Sequence, residues 1–345
     1  MNRFLIAACA AVVLAGCGGS PDGQNASGGG DGPGIRVAYV TNGIDPFWTI
    51  AEAGANAGAE EFGVEVEVLM PPKGLVDQKR MVETLLSNGI DGIAISPIDA
   101  ANQVQMINDA ARVTNVITQD SDAPDSDRLC FIGMDNYKAG REAGKLVKEA
   151  LPDGGEVMIF VGRLEQLNAQ QRRQGVIDEL MDRPLQSLDS MIIDTPGAEI
   201  KGDRFTILGT RTDNFDYAKA KSNAEDTIAA YAGLDAMVGL FAYNIPNCLA
   251  AVKEAGKLGQ IRLISFDEQD GTLQGIIDGH VHGTVSQQPY MYGFDSVRVL
   301  AALARGDESV LPESRFLEIP AVIVRQDNVE AFWANLKKLK GEDNA

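Results

Sequence analysis

Positive charge is scarce in this chain. Its 345 residues contain 30 Lys and Arg against 49 Asp and Glu, which gives a formal net charge of −19. Such an acidic surface repels phosphate backbones, so we expect no nucleic acid partner. The sequence also has no G-x-x-x-x-G-K-[ST] phosphate loop, and no G-x-G-x-x-G turn leads from a strand into a helix. We therefore expect no nucleotide chemistry and no cofactor.

Histidine is rarer still, with two residues in the whole chain. His280 and His282 lie two positions apart in the segment GHVHG, and on a strand both side chains would share one face, as a metal site could use. No third ligand has a matching spacing. A turn followed by an edge strand accounts for the pattern, so we predict no metal site.

Motifs of covalent catalysis are also missing, because no serine stands on a G-x-S-x-G turn. Carboxylates do occur in pairs, Asp120 with Asp122 and Asp267 with Glu268, and glycosidases use such pairs. A pair of neighbouring carboxylates does not by itself establish a catalytic site. We predict that the protein is not an enzyme.

The first seventeen residues read as a targeting segment. The run MNRFLIAACAAVVLAGC has a basic Arg3, an apolar stretch over 4–14 and then Leu-Ala-Gly-Cys. This pattern resembles a bacterial lipoprotein signal, in which cleavage precedes a cysteine that carries lipid. The resemblance implies that residues 1–16 are a signal peptide and that Cys17 anchors the mature chain to a membrane, on the periplasmic or cell-surface side. A plain secretory signal or an uncleaved anchor is the alternative.

Residues 17–34 contain almost no side chain that could pack, since most of the run GGSPDGQNASGGGDGPG is small or polar. Chains of this composition behave as flexible coils. We predict that this segment is a tether between the anchor and a folded body that begins at residue 35.

Apolar strands and helical patterns alternate throughout the folded body. The predicted strands are IRVAYV (35–40), VEVEVLM (64–70), GIAIS (92–96), EVMIFVG (156–162), DAMVGLFA (235–242) and IRLISF (261–266). The predicted helices lie near 46–62, 75–88, 99–112, 168–181, 216–230 and 246–257. Strict alternation indicates a parallel sheet with helices on both faces. The sequence therefore predicts an α/β fold with two doubly wound parallel-sheet lobes.

The crossings between the lobes divide the chain. We place one near 132–136 and another near 287–289. This assigns residues 35–133 plus 289–318 to an N-terminal lobe and residues 134–288 plus 319–345 to a C-terminal lobe, with a multi-strand hinge between them. Residues 184–205 form a longer connection than a helix-to-strand turn requires, so they either add a hairpin or form a loop beside the cleft.

The corner VTNGIDPFW (40–48) is unusual for the start of a helix. Asp45 and Pro46 are good residues for the N-cap and the first helical position. Helix initiation does not require both Phe47 and Trp48, however, and this corner lies at the carboxyl end of a strand, where open α/β sheets bind ligands. Aromatic faces suit the C–H faces of a sugar ring, and a carboxylate accepts hydrogen bonds from its hydroxyls. One of the two rings could instead belong to the core.

Eight motifs occur in one order along the chain: VTNGIDPFW (40–48), GIAISPIDA (92–100), ITQDSDAP (117–124), IGMDNYKAG (132–140), NAQQRRQG (168–175), FAYN (241–244), SFDEQ (265–269) and GTVSQQP (283–289). With them, residues 35–324 resemble the ribose-binding-protein branch of the periplasmic solute-binding proteins. Those proteins deliver small sugars to ABC importers. The resemblance implies the type I periplasmic binding protein fold, with the ligand held between two lobes.

Carried over position by position, the resemblance selects ligand-binding residues at strand ends of both lobes. They are Asp45, Phe47, Trp48, Ser96 and Asp120 in the first lobe, Gln170, Phe215, Asn244 and Asp267 in the second, and Gln287 at a crossing. Asp offers acceptors, whereas Asn and Gln offer donors and acceptors, and a sugar hydroxyl needs both. Each position also has a structural reading: a helix cap for Asp120, Asp267 and Asn244, and a core ring for Phe215.

The sequence departs from the sugar-binding pattern at two positions. Ser121 stands where many relatives have Arg, and Gln170 stands where an Arg of the second lobe usually grips the sugar, with Arg172 two residues further on. The three predicted ligand-binding carboxylates, Asp45, Asp120 and Asp267, would repel one another without nearby positive charge. Either Arg163 or Arg172 therefore reaches into the site, or the ligand is cationic. We expect a neutral sugar or polyol, with an amino-sugar or similar cationic solute as the alternative.

The implied function is that of a monomeric, lipid-anchored receptor that closes on its solute by hinge rotation and then docks on an ABC permease. A sensory protein that docks on a membrane receptor is the alternative. Sugar-responsive repressors share the fold, but they carry a DNA-binding segment where this chain has its signal and tether. Cys130 and Cys248 lie in different predicted lobes, where a disulfide would lock the hinge, so we expect two buried, unpaired thiols.

Overall fold

The computed structural model describes residues 34–342, so the predicted signal peptide, the lipidation site Cys17 and the tether lie outside the described residues. The first strand and helix illustrate how local sequence sets the elements. Asp45 caps the first helix through its side chain, Pro46 occupies the first turn, and Gly63 ends the helix with φ of +60°. Only glycine adopts that conformation without strain, so the helix stops where the sequence predicts.

The first lobe is built around a six-stranded parallel sheet. Its strands are β1 (Arg36–Val40), β2 (Glu65–Leu69), β3 (Gly92–Ile95), β4 (Asn115–Gln119), β5 (Phe131–Gly133) and β12 (Phe316–Glu318), in the order β12-β5-β4-β3-β1-β2. Its helices are α1 (Pro46–Phe62), α2 (Leu75–Ser87), α3 (Ala100–Ala111) and α9 (Pro289–Ala304). Strands β3, β4 and β5 are almost completely buried, as expected for a sheet that is covered on both faces.

The second lobe has a seven-stranded sheet. Its strands are β6 (Gly155–Val161), β7 (Ile200–Lys201), β8 (Phe205–Thr212), β9 (Leu234–Gly239), β10 (Arg262–Phe266), β11 (Gly283–Ser286) and β13 (Val322–Val324), in the order β13-β11-β10-β9-β6-β8-β7. Only the two edge strands, β13 and β7, pair antiparallel. Its helices are α4 (Asn136–Ala150), α5 (Leu167–Leu180), α6 (Tyr217–Ala230), α7 (Asn244–Glu254), α8 (Asp270–Ile277) and α10 (Val329–Leu339).

The chain passes between the two sheets three times: from β5 to α4, from β11 to α9, and from β12 to β13. The first two passages fall at residues 133–136 and 286–289, and the third at 318–322. The carboxyl ends of the central strands of both sheets border the space between the lobes. This topology is the reason that side chains distant in sequence meet in one place.

Glycines fix the position of α5, the helix that carries Arg172. A Cβ atom at Gly140 of α4 would lie 2.1 Å from the carbonyl oxygen of Arg172, and one at Gly175 of α5 would lie 2.2 Å from that of Tyr137. Contacts this short are impossible for any other residue, so α4 and α5 pack backbone to backbone. Arg172 is thereby held at a fixed depth behind the cleft.

Residues 184–205 form a hairpin only at their far end, where β7 pairs antiparallel with β8. The rest of the segment is held against α5 by the buried Arg173, whose guanidinium donates to the carbonyl oxygens of Asp194 at 2.7 Å and Thr195 at 3.1 Å. No residue of 184–205 lines the cavity between the lobes. The extra hairpin, one of the two predictions for this segment, is therefore present at its end.

Both cysteines in the described part of the chain, Cys130 and Cys248, are buried and free. Within residues 34–342 no helix combines the length and the apolar character that a membrane span requires. The same residues contain no cluster of three or more potential metal ligands, and His282 instead lies 3.6 Å from the carboxylate of Glu149.

Candidate ligand-binding site

A cavity of about 290 Å³ lies between the two lobes, at the carboxyl ends of their strands. Nine of the twelve predicted ligand-binding residues line it: Asp45, Phe47, Trp48, Asp120, Arg163, Arg172, Phe215, Asp267 and Gln287. The other three, Ser96, Gln170 and Asn244, do not. Seven of these nine residues come from five strand-to-helix junctions, Asp120 follows β4 and Arg172 lies on α5, so the fold brings them together.

The corner at the start of α1 supplies one wall. Asp45 accepts a hydrogen bond from the backbone N–H of Phe47 at 2.9 Å, which fixes the first turn of the helix. The Phe47 and Trp48 rings pack edge to face, with centroids 4.8 Å apart, and Tyr39 packs against Trp48 from the sheet side. Both rings are more than nine-tenths buried. They therefore serve as the core of the first lobe and as an apolar wall of the cavity at the same time.

Asp120 forms the floor on the side of the first lobe. One carboxylate oxygen, Oδ2, accepts hydrogen bonds from Ser96 Oγ at 3.0 Å, Asn42 Nδ2 at 3.3 Å and Asn168 Nδ2 at 3.3 Å. Ser96 was predicted to contact the ligand. Ser96 is instead fully buried, does not line the cavity and donates its hydroxyl to Asp120. Its role in this structure is to hold the carboxylate in place.

Arg172 is the central cation of the site and is 1% exposed. Its Nε donates to Asn136 Oδ1 at 2.9 Å and its Nη1 donates to the carbonyl oxygen of Leu240 at 3.1 Å. The remaining nitrogen, Nη2, lies 3.7 Å from Asp120 Oδ1 and has no hydrogen-bond partner among the described residues. A buried guanidinium nitrogen without a partner is energetically costly, so this group is poised to donate to a molecule in the cavity.

Gln170 was predicted at the position from which an Arg usually grips the sugar. Its side chain instead donates to the carbonyl oxygen of Leu164 at 2.6 Å and does not line the cavity. Residues two apart on an α-helix point about 200° from one another, so Gln170 and Arg172 cannot both face the cleft. The structure places Arg172 there.

Asp267 faces the cavity from the second lobe. Its Oδ1 accepts a hydrogen bond from Gln287 Nε2 at 2.9 Å, and Gln287 in turn accepts one from the hydroxyl of Tyr292 at 3.2 Å. Burial raises the pKa of Asp267 to about 6, against the opposing effect of the nearby Arg172. The carboxyl is therefore ionised at neutral pH and close to its titration range.

Phe215 and Arg163 form the outer wall on the second lobe, with the guanidinium carbon of Arg163 5.0 Å from the centre of the Phe215 ring. Asn244, which was predicted beside them, lies one layer deeper. It donates to Asp213 at 3.0 Å and accepts from the backbone N–H of Phe241 at 3.0 Å, so its amide is fully occupied within the protein. Asn244 is a support for this wall and does not reach the cavity.

Backbone strain is concentrated at the cavity. Among the described residues, six that are not glycine have positive φ, and four of them line the cavity: Asp120 at 60°, Asn214 at 59°, Phe215 at 63° and Asp267 at 64°. This conformation is unfavourable for side chains with a Cβ, and for the bulky Phe215 in particular. Strain retained at one place in a fold is typical of a functional site.

Two tyrosines, Tyr217 and Tyr243, are among the cavity-lining residues that were not found from the sequence. Tyr217, at the start of α6, donates its hydroxyl to Asp45 Oδ2 at 2.7 Å and so joins the second lobe to the first. Its ring stacks on Tyr243, with centroids 4.9 Å apart and planes 8° apart. Tyr243 in turn donates a hydrogen bond to the buried Asp213. No local pattern reveals this contact, because it forms between lobes.

The charges of the site have opposite signs on neighbouring groups. Burial raises the pKa values of Asp45 and Asp120, while Arg172 lowers that of Asp120. The cavity therefore offers carboxylate acceptors, one free guanidinium donor and two aromatic walls in a volume of about 290 Å³. Such a combination suits a small molecule with several hydroxyl groups and an apolar face.

Two curated relatives resemble the chain over most of its length. A D-ribose/D-allose-binding protein of Pseudomonas aeruginosa is 24% identical over 303 residues, which cover 84% of this chain and 88% of the relative. The ribose import binding protein RbsB of Haemophilus influenzae is 24% identical over 281 residues, covering 79% and 86%.

Solved structures share the fold. A solute binding protein of an ABC transporter from Burkholderia graminis, in complex with D-arabinose, has a TM-score of 0.76 and 26% identity, covering 85% of this chain and 96% of that protein. A solute binding protein from Bacillus halodurans with bound myo-inositol has a TM-score of 0.76 and 20% identity, covering 88% and 99%.

The family model described as a periplasmic binding protein domain matches residues 35–308. The match begins one residue before β1 and includes every residue that lines the cavity. The two-lobed α/β fold and the cavity between its strand ends agree with this match, and the family consists of solute-binding receptors rather than enzymes. The chain belongs to the periplasmic binding protein family.

Proposed function

We propose that this protein is the solute receptor of an ABC importer and that it captures a small neutral sugar or polyol between its two lobes. The observation that carries the proposal is the unpartnered Nη2 of Arg172, buried in the inter-lobe cavity beside the carboxylates of Asp120 and Asp267. Donor and acceptors at this spacing can hydrogen-bond to hydroxyl groups of one small molecule. The relatives are named for ribose and allose, and the similar structures hold D-arabinose and myo-inositol.

The position of Arg172 favours a neutral ligand over a cationic one. A cationic solute would be needed to balance the carboxylates if the site had no positive charge of its own. Arg172 supplies that charge at 3.7 Å from Asp120, and Arg163 adds a second guanidinium at the cavity wall. An amino-sugar therefore ranks behind a neutral monosaccharide or polyol.

Capture depends on closure, because the ligand's partners are divided between the lobes. Asp45, Phe47, Trp48 and Asp120 belong to the first lobe, whereas Arg172, Phe215 and Asp267 belong to the second. A ligand touches both sets only when the cleft is shut, so binding shifts the population to the closed form. The closed form then presents the surface that the permease recognises.

Proteins of this family work outside the cytoplasm. We propose that the mature chain is a monomer anchored there by lipid on Cys17, with residues 18–34 as its tether. The sequence LAGC at 14–17 supports the anchor. Metabolic labelling with a fatty acid would detect it, and Cys17→Ser should abolish the label.

A thermal-shift screen of pentoses, hexoses, polyols and amino-sugars tests the proposed ligand class, because a solute that binds only the folded state raises the melting temperature. We expect hits among neutral sugars or polyols. In the Asp267→Ala variant the shift should disappear, whereas the matched variant Asp278→Ala, which removes an exposed carboxylate outside the cavity, should retain it. Hits confined to amino-sugars would favour the cationic alternative, and a shift of equal size in Asp267→Ala would refute the assigned site.

A further inference from the structure

A second cavity of about 310 Å³ also lies between the lobes. Its first-lobe wall is the opening turn of α1, with Pro46, Phe47 and Ile50. Its second-lobe walls are the segment from β10 into α8 and the end of α10. Phe47 and Tyr217 line both cavities, so the second cavity lies behind one wall of the first.

Glu268 is the distinctive group of this second cavity. The residue is 4% exposed, and its Oε2 accepts a hydrogen bond from the hydroxyl of Ser286. Its Oε1 has no hydrogen-bond partner among the described residues. Asp267, its neighbour in sequence, lines the first cavity, whereas Glu268 lines the second, so the two carboxyl groups serve different spaces.

Two other charged side chains, Lys340 and Asp270, line the second cavity, and among the described residues neither donates a hydrogen bond to Glu268. Lys340 lines the cavity, but its ammonium group is engaged with Glu342 at 2.7 Å. Asp270 adds a second carboxylate, whose Oδ1 accepts a hydrogen bond from the indole N–H of Trp333 at 3.2 Å. A buried acceptor without a donor destabilises the fold unless a partner arrives from outside.

We propose that the second cavity is a binding site for a small primary amine, whose ammonium group donates to Glu268 and whose hydrocarbon part packs on Phe47, Ile50 and Leu336. The walls are largely apolar and aromatic, Glu268 presents an acceptor without a donor among the described residues, and a cation beside an aromatic ring gains further stabilisation. An ammonium group also provides the opposite charge that allows a carboxylate to be ionised in a buried position.

Because this cavity takes its walls from both lobes, an amine bound there favours the closed form just as the solute does. Two ligands that favour the same conformation strengthen each other's binding, and the effect is reciprocal. The second site would therefore act on solute affinity without contact with the solute. This coupling is additional to the proposed transport function, and the amine site itself does not depend on which solute is carried.

The test uses n-propylammonium chloride as the probe and the purified wild-type protein. We expect it to raise the melting temperature in a saturable way, beyond the effect of sodium chloride and of 1-propanol at equal concentrations. Glu268→Gln keeps the size of the side chain but removes its charge, and should weaken the apparent affinity at least fivefold. The matched control Asp278→Asn removes an exposed carboxylate ten residues away and should respond as wild type.

A wild-type protein that responds identically to propylammonium and sodium chloride would overturn the proposal, and so would an undiminished response in Glu268→Gln. If Glu268→Gln does not fold, a crystal structure of the wild type grown with propylammonium chloride decides instead. The ammonium nitrogen should lie within hydrogen-bond distance of Glu268 Oε1, and an empty cavity would refute the site. The thermal-shift screen of sugars tests the proposed transport function independently, whether or not the amine binds.

Discussion

Arg172→Gln is the most informative substitution, because two of the three guanidinium nitrogens of Arg172 donate hydrogen bonds within the protein and the third has no hydrogen-bond partner among residues 34–342. Glutamine can retain one of the bonds to Asn136 or Leu240, but it cannot also reach the cavity. The variant therefore loses the donor that we assign to the ligand. It also loses the positive charge that balances Asp120 and Asp267.

The expected loss of affinity follows from these contacts. A hydrogen bond that involves a charged group contributes about 1.5–3 kcal/mol, which corresponds to roughly a 10- to 150-fold increase in Kd. Without Arg172 the pKa of Asp267, already about 6, rises further, so part of the protein is protonated there at neutral pH. We therefore expect the increase in Kd for Arg172→Gln to lie in the upper half of that range. The Kd of Arg172→Lys should lie between those of Arg172→Gln and wild type, because lysine keeps the positive charge but lacks the planar guanidinium group.

Isothermal titration calorimetry with a solute identified in the screen measures the effect, and circular dichroism checks that the variant is folded. Arg112→Gln is the matched control, because Arg112 is exposed on the surface of the first lobe. The Arg112→Gln protein should bind the solute with the affinity of wild type. An Arg172→Gln protein that is folded and binds within twofold of wild type would refute the assignment of Nη2 to the ligand.

Three further substitutions test other parts of the site. Tyr217→Phe removes only the hydroxyl that donates to Asp45 across the cleft, so we expect solute to dissociate about 2- to 10-fold faster in stopped-flow measurements, with unchanged melting of the ligand-free protein. An unchanged dissociation rate would contradict a role of this hydrogen bond in holding the lobes together. For Asp267 the folded pKa of about 6 exceeds the unfolded value of 3.8, so the ionised carboxylate destabilises the fold above pH 6 and this effect is lost as the pH falls towards 4. Asp267→Asn should therefore raise the melting temperature relative to wild type more at pH 7.5 than at pH 4.5, and an equal difference at both pH values would contradict the raised pKa. Gly175→Ala forces α5 away from α4, so urea unfolding should show a loss of about 1–3 kcal/mol and calorimetry a weaker affinity, whereas Gly197→Ala, which has open space around it, should change neither.

The sequence predicts the architecture well because the architecture depends on local patterns. The apolar runs separated by helical patterns indicate two parallel sheets, and the helix expected at 46–62 begins and ends at those residues in the structure. Its boundaries are set by Asp45, Pro46 and Gly63, all of which act within one turn. The hairpin at β7 and β8 is less predictable, since a strand of two residues leaves almost no periodic signal.

The site is predicted less completely, for geometric reasons. Strand ends locate the layer in which a ligand binds, but they do not determine which of two adjacent side chains faces it. Gln170 and Arg172 differ by about 200° of helix rotation, and the packing of α5 on α4, which decides between them, depends on Gly140 and Gly175. Ser96 and Asn244 are buried behind the residues that line the cavity, where they hydrogen-bond to Asp120 and Asp213. Tyr217 could not be found at all, because its partner is on the other lobe.

The contacts that cross the cleft explain how one small molecule can control the whole conformation. In the described part of the cleft the direct polar links at the cavity are few: Tyr217 to Asp45 at 2.7 Å, Asn168 to Asp120 at 3.3 Å, and the looser approach of Arg172 to Asp120 at 3.7 Å. Two of these three links are longer than an ordinary hydrogen bond, and water hydrogen-bonds to the same groups in an open cleft, so the net contribution of the links to closure is small. The closed form is therefore only marginally stable by itself, and a ligand that adds several hydrogen bonds to both lobes tips the balance. Asp120 is central to this balance, because its carboxylate accepts hydrogen bonds from both lobes before the ligand binds. The free donor of Arg172 beside it then remains available to the ligand.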